Sequence, residues 1–274
     1  PMGLDELSTY KYIITGNGQI REEAAHMETY FAGFLGAGNM GGALAAAACK
    51  AVPPEKIAVT CSTPEHSRAA AERLGCHWAD RDALIAGSRY LFLGIKPQML
   101  AKTAREIGPA MACWDGVLVS MLAGVSLASL EALFPGKRIL RIMPNTPCAV
   151  GSGMILLSRG TLATQADEEG FRELMVQAGR IDDLPERLID AASALTGCGP
   201  AFAFVFLQAL ADGAVACGLP RAKAREYTAQ MLLGSARLAL DTQTHPEVLK
   251  DAVCSPGGST IAGVRALESS AFRS

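Results

Sequence analysis

Apolar residues first gather into short unbroken runs and then, beyond about Leu184, spread over long stretches with helical spacing. Tyr30–Leu35, Ile57–Cys61, Tyr90–Ile95 (YLFLGI), Gly116–Met121 (GVLVSM), Arg138–Met143 and Gly153–Leu157 are short and apolar, as expected of strands covered on both faces. Helical patterns separate several of them: Asn39–Lys50, Pro64–Leu74, Gln98–Met111 and Leu127–Phe134. This alternation predicts a doubly wound α/β domain over residues 30–184. The strand signal then stops. Glu186–Leu195, Pro200–Cys217, Arg221–Asp241, His245–Ala252 and Ser259–Leu267 all read as helices, giving a helical domain over residues 185–274. Pro200–Cys217 is apolar nearly all round and must be buried on every side. In so small a domain a second subunit is the expected cover, which predicts a homodimer.

The remaining features bound the class of protein. Half of the 274 residues are hydrophobic and 19% are charged, so the chain has ample material for a core. A net charge of −2 without a basic block argues against nucleic acid as a partner. The eight Cys are scattered with no C-x-x-C pair, which predicts no zinc site and fits reduced thiols in the cytoplasm. Residues 1–29 lack an apolar signal core and read as an extension outside the core fold, with a turn at Gly16-Asn17-Gly18. Pro200–Ala211, followed by Asp212, reads as too short to span a bilayer, so no membrane partner is expected.

Two segments carry chemistry. Gly36-Ala37-Gly38-Asn39-Met40-Gly41 places G-x-G-x-x-G between a strand and a helix, the context of a dinucleotide site. The next strand ends in Thr60-Cys61-Ser62-Thr63, with no acid until Glu65, while His66 and Arg68 follow; hydroxyls and cations favour the 2′-phosphate of NADP over NAD. Arg68 reads equally well as a solvated helix charge. Gly94-Ile95-Lys96-Pro97 and Met121-Leu122-Ala123 end two further strands, where ligands of open α/β sheets bind. Near the other end, Ser255-Pro256-Gly257-Gly258-Ser259-Thr260 forms a turn into a helix, whose free N–H groups favour a small carboxylate.

The segments FLGAGNMGGAL (34–44), LFLGIKPQ (91–98), RIMPNTPCAVGSG (141–153), ALTGCGPAFAF (194–204), LADGAVACGLPR (210–221) and HPEVLKDAVCSPGGSTIAGVRALE (245–268) together resemble pyrroline-5-carboxylate reductase. The resemblance implies an N-terminal Rossmann domain and a C-terminal helical dimerisation domain, sometimes assembled into decamers. It implies reduction of L-Δ1-pyrroline-5-carboxylate to L-proline with NADPH, or NADH. It puts the dinucleotide on Gly36, Ala37, Gly38, Asn39, Met40, Thr63, Gly94, Ile95, Lys96, Pro97, Met121 and Ala123, with Asn145 near the nicotinamide. It puts the substrate on Glu186, Val253, Ser255, Gly258, Ser259 and Thr260. For the chemistry, the N–H groups of Gly258 and Ser259 would hold the carboxylate and the Thr260 hydroxyl would orient the ring nitrogen. The chain departs from the family pattern at Arg81 and Ala252, and the family usually continues into a final helix beyond Ser274. Two other readings fit the layout: another imine or β-hydroxyacid reductase, or a catalytically silent NADPH-binding dimer. Gly197-Cys198-Gly199-Pro200 lacks the nearby Lys typical of the hydroxyacid enzymes.

Overall fold

The computed structural model describes residues 11–15, 19–23, 30–270, 272 and 273, in two compact units, Pro1–Pro200 and Ala201–Ser274. In the first unit, β1 (Lys11–Thr15) and β2 (Gln19–Glu23) pair antiparallel as a separate ribbon within the supposed extension. The turn expected at 16–18 lies outside the described residues.

The main body alternates strands and helices: β3 (Tyr30–Leu35), α1 (Asn39–Ala51), β4 (Ile57–Thr60), α2 (Pro64–Leu74), β5 (His77–Trp78), α3 (Arg81–Gly87), β6 (Ser88–Leu93), α4 (Leu100–Ala112), β7 (Val117–Ser120), α5 (Leu127–Leu133) and β8 (Arg138–Met143). β9 (Gly153–Arg159), α6 (Gln165–Met175), β10 (Gly179–Asp183) and α7 (Ile189–Thr196) complete it. The eight-stranded sheet runs β10-β9-β8-β7-β6-β3-β4-β5, and all its neighbours are parallel except β8 and β9. Residues 144–152, with a short 3₁₀ turn at Thr146–Val150, are too few for a crossover, so β9 turns back beside β8. This is a doubly wound Rossmann-type sheet.

Its strands are apolar on both faces because both faces are covered. Phe34, Val59, Phe92, Val119 and Leu140 pack under α1, α2 and α6, with Phe34 and Phe92 stacked at 4.3 Å. Leu35, Leu91, Leu93, Leu118 and Ile139 pack under α3, α4 and α5. Each such side chain contributes about 1.5–3 kcal/mol by burial, which fixes the sheet as the rigid frame of the strand ends. The strand pattern ends at β10, but the compact unit runs on to Pro200, because Ile189 is fully buried against Met143 and Leu156.

The second unit is helical: α8 (Gly199–Ala216), α9 (Arg221–Thr242), α10 (Pro246–Ala252) and α11 (Ser259–Ser269). Within one chain these helices bury almost nothing. Ala211 is the buried residue of α8, whereas Phe202, Phe204 and Val205 are 67%, 64% and 70% exposed. The helical run Glu186–Ala216 holds an 18-residue window of mean hydropathy 1.6, which is long and apolar enough to cross a membrane by length and composition alone. The expectation from sequence counted only Pro200–Ala211, whereas the helical run is longer at both ends.

Candidate active site

The Gly-rich segment is shaped by close backbone contacts. Gly36 has φ of 105°, its N–H donates to Thr60 O at 2.8 Å, and Gly94 N–H donates to Leu35 O at 2.9 Å. A Cβ on Gly36 would lie 2.4 Å from Gly94 O, and one on Gly41 would lie 2.2 Å from Gly36 O. The ends of β3 and β6 and the first turn of α1 therefore meet with no room for side chains. A Cβ on Gly38, by contrast, would meet nothing within 4 Å. Gly38 is the N-cap of α1 and supplies no side-chain cap, and the first turn contains no acid. Open N–H groups and the helix dipole thus face a free space, the requirement for holding a pyrophosphate. Asn39 is exposed there and Met40 half-buried. Arg73, from the end of α2, donates to Ala37 O at 3.5 Å, a link across 36 residues that sequence reading missed.

The β4 end differs in detail from the expectation. Thr63 caps α2: its hydroxyl accepts the His66 N–H at 3.2 Å. Glu65 is held below the ordinary carboxylate range by its own backbone N–H and then by the Thr63 hydroxyl, so Thr63 is already engaged on both counts. Arg68 lies over the Trp78 ring at 4.8 Å from its centroid, a cation–π contact rather than a fully solvated charge. Arg81 pairs with Glu106 at 2.7 Å. Gly94 and Ile95 are half-buried, Lys96 and Pro97 exposed, and Met121 half-buried beside exposed Ala123; these are loop positions at the carboxyl ends of β6 and β7.

Asn145 and Glu186 each hydrogen-bond to distant parts of the chain. Asn145 is 8% exposed; its Nδ2 donates to Thr196 O at 2.9 Å and its Oδ1 accepts the Met154 N–H at 2.9 Å. It clips the end of α7 to the start of β9. Glu186 Oε1 accepts the Leu127 N–H at 2.5 Å and an Arg141 N–H at 2.7 Å. A carboxylate at the start of α5 is favourably placed for the helix dipole. Glu186 also borders a shallow groove of about 390 Å³ with Leu127, Ser158, Asp183 and Pro185.

In the second unit, Ser255–Gly258 forms a tight turn. Pro256 takes the second position, Gly257 the third with φ of 69°, and Gly258 N–H donates back to Ser255 O at 3.0 Å. This corrects one assignment: the Gly258 N–H closes the turn and is not available to a ligand. Gly258 is instead the N-cap of α11, with no side-chain cap bond and no acid in the first turn. The open donors are the N–H groups of Ser259 and Thr260, which begin the helix. Val253 is 63% exposed, and Ser255, Ser259 and Thr260 are exposed as well. Lys250 is tied to Glu247 and Asp251, and the Glu247 hydrogen bond raises its pKa.

A family model described as NADP oxidoreductase, coenzyme F420-dependent, matches residues 32–124, and one for pyrroline-5-carboxylate reductase dimerisation matches residues 186–274. Pyrroline-5-carboxylate reductase 3 of Danio rerio is 39% identical over 244 residues, covering 88% of this chain and 84% of that protein. The chain belongs to the pyrroline-5-carboxylate reductase family. Two solved reductases of this family share its fold. That of Plasmodium falciparum, with NADP bound, gives a TM-score of 0.79 at 27% identity, covering 90% of this chain and 92% of the other. That of Streptococcus pyogenes gives 0.77 at 33% identity, covering 86% and 90%. The helices matched by the dimerisation model include α8, whose Phe202, Phe204 and Val205 are exposed within one chain.

Proposed function

We propose that the chain reduces L-Δ1-pyrroline-5-carboxylate to L-proline with NADPH, the last step of proline synthesis. The observation that carries this reading is the family relationship over most of the chain, joined to two open helix starts, at Gly38 and at Gly258. NADPH supplies a hydride for the imine carbon. The protein's task is then to bind and orient, since a protonated iminium needs little acid catalysis. The α1 start and the Gly36–Gly94 contact hold the pyrophosphate. The Ser259 and Thr260 N–H groups receive the substrate carboxylate, and the Thr260 hydroxyl orients the ring nitrogen. A Thr hydroxyl is a poor acid at neutral pH, so its role is orientation.

The reading is tested by a substrate panel: NADPH oxidation with pyrroline-5-carboxylate, against NADP⁺ reduction with a 3-hydroxy acid. Turnover only of the hydroxy acid overturns it. Tight NADPH binding without any turnover supports the silent dimer instead. The assembly we propose is a cytoplasmic homodimer formed through α8 and α9, because those helices expose Phe204, Val205, Leu233 and Leu240. Sedimentation equilibrium should return at least twice the chain mass and would separate a dimer from a decamer; a monomer at micromolar concentration contradicts it.

A further inference from the structure

Arg141 lies on β8 among Ile139, Ile142 and Met143, with 4% of its side chain exposed. Its Nη1 donates to Glu186 Oε1 at 2.7 Å and its Nη2 to Asp190 Oδ1 at 3.2 Å. The same Glu186 oxygen accepts the Leu127 N–H at 2.5 Å. One guanidinium therefore gathers three separate pieces of chain. These are the start of α5, which closes the loop carrying Met121 and Ala123; the Glu186 carboxylate; and the first turn of α7.

Two details argue that this cation supplies position rather than stability. Its Nε is buried without a partner, a defect that an apolar side chain in the same place would not have. Buried ion pairs are often no more stabilising than well-packed apolar residues of similar volume. In addition, Glu186 Oε2 has no hydrogen-bond partner among the described residues, and Glu186 lines the open groove. One oxygen is locked and the other remains available.

We propose that Arg141 is a positioning residue of the reductase: by locking Glu186 Oε1 onto the start of α5, it fixes the loop at residues 121–126 and the free Glu186 oxygen in one arrangement. The proposal rests on the reductase reading for its effect on turnover, but its effect on NADPH binding can be read without substrate. Arg141→Lys keeps the charge but loses the fork that spans Glu186 and Asp190. Glu186→Gln keeps an acceptor for Leu127 but weakens the pair.

The experiment measures NADPH dissociation constants by fluorescence, steady-state kinetics with pyrroline-5-carboxylate, and thermal midpoints, for both single variants and the double variant. Each single variant should weaken NADPH binding about tenfold and lower kcat, and the double variant should be no worse than the worse single, as for residues acting as one unit. A lowered thermal midpoint with an unchanged NADPH dissociation constant would show a merely structural role and overturn the proposal. Independent, multiplying effects would overturn it as well. Should Arg141→Lys fail to fold, Glu186→Gln alone decides, through the same change in NADPH binding. A wild-type protein that binds NADPH but does not turn over pyrroline-5-carboxylate removes the reductase reading and leaves the binding comparison intact.

Discussion

Gly38→Ala should leave the thermal midpoint nearly unchanged and yet weaken NADPH binding by about 100-fold, whereas Gly36→Ala should damage both. The difference follows from the space around each backbone. Gly38 has φ of −68° and ψ of −162°, which Ala adopts freely, and its Cβ would meet no protein atom within 4 Å. The stability change is therefore expected within about 0.5 kcal/mol. The same Cβ would occupy the approach of the pyrophosphate to the α1 start, so binding alone is lost. Gly36 has φ of 105°, which L side chains rarely adopt, and its Cβ would stand 2.4 Å from Gly94 O. Strain and clash together should cost about 3 kcal/mol or more of folding stability, along with NADPH binding. Urea unfolding and an NADPH titration on both variants check the contrast. Normal NADPH affinity in Gly38→Ala would remove the helix start from the cofactor site.

Ser259→Pro should raise the KM for pyrroline-5-carboxylate about 10- to 100-fold while the protein remains folded. Proline is well tolerated at the first position of a helix, and Gly258, at φ of −77° and ψ of 168°, already has the extended conformation favoured before proline. The substitution deletes one N–H together with the exposed Ser259 hydroxyl, and a hydrogen bond to a charged group contributes about 1.5–3 kcal/mol. Thr260→Val is the companion. It keeps the shape and the N–H but removes the hydroxyl, and should lower kcat/KM about 10- to 100-fold by releasing the ring nitrogen. Thr260 is exposed, so stability should hardly change. An unchanged KM in Ser259→Pro would mean that the carboxylate is held elsewhere.

The buried parallel strands were legible because their chemistry is unambiguous. Gly116–Met121 contains β7 (Val117–Ser120), and Tyr90–Ile95 overlaps β6 (Ser88–Leu93) with a shift of two residues, since a strand covered on both faces shows an unbroken apolar run. Elements at the margins left weaker traces. β10, with the sequence GRIDD, is a polar strand at the sheet edge and offers no apolar pattern. The two residues of β5 and the seven-residue α3 are set by neighbours more than by their own sequence. α6 was missed although its start was readable: Thr164 and Asp167 form a capping box, the T-x-x-acid pattern of a helix N-terminus.

The site divides in the same way. The Gly-rich turn and the helix start after Gly258 follow from backbone requirements that only certain residues meet, so the sequence exposes them. Which N–H stays open does not follow from composition: the Gly258 donor is taken by Ser255 O, and that depends on the turn geometry. The contact of Arg141 with Glu186 spans 45 residues and that of Asn145 with Thr196 spans 51, and no local pattern announces either. Arg141 in particular reads in sequence as one of two charges in the strand RILRIM, beside Arg138, and its partners Glu186 and Asp190 are brought to it only by the fold.

This protein is expected to make proline from pyrroline-5-carboxylate at the expense of NADPH. The most direct measurement is the amount of L-proline formed per NADPH oxidised by the purified wild-type chain supplied with L-Δ1-pyrroline-5-carboxylate. One proline should form for each NADPH consumed. NADPH that binds but is not consumed, or is consumed without proline appearing, would contradict it.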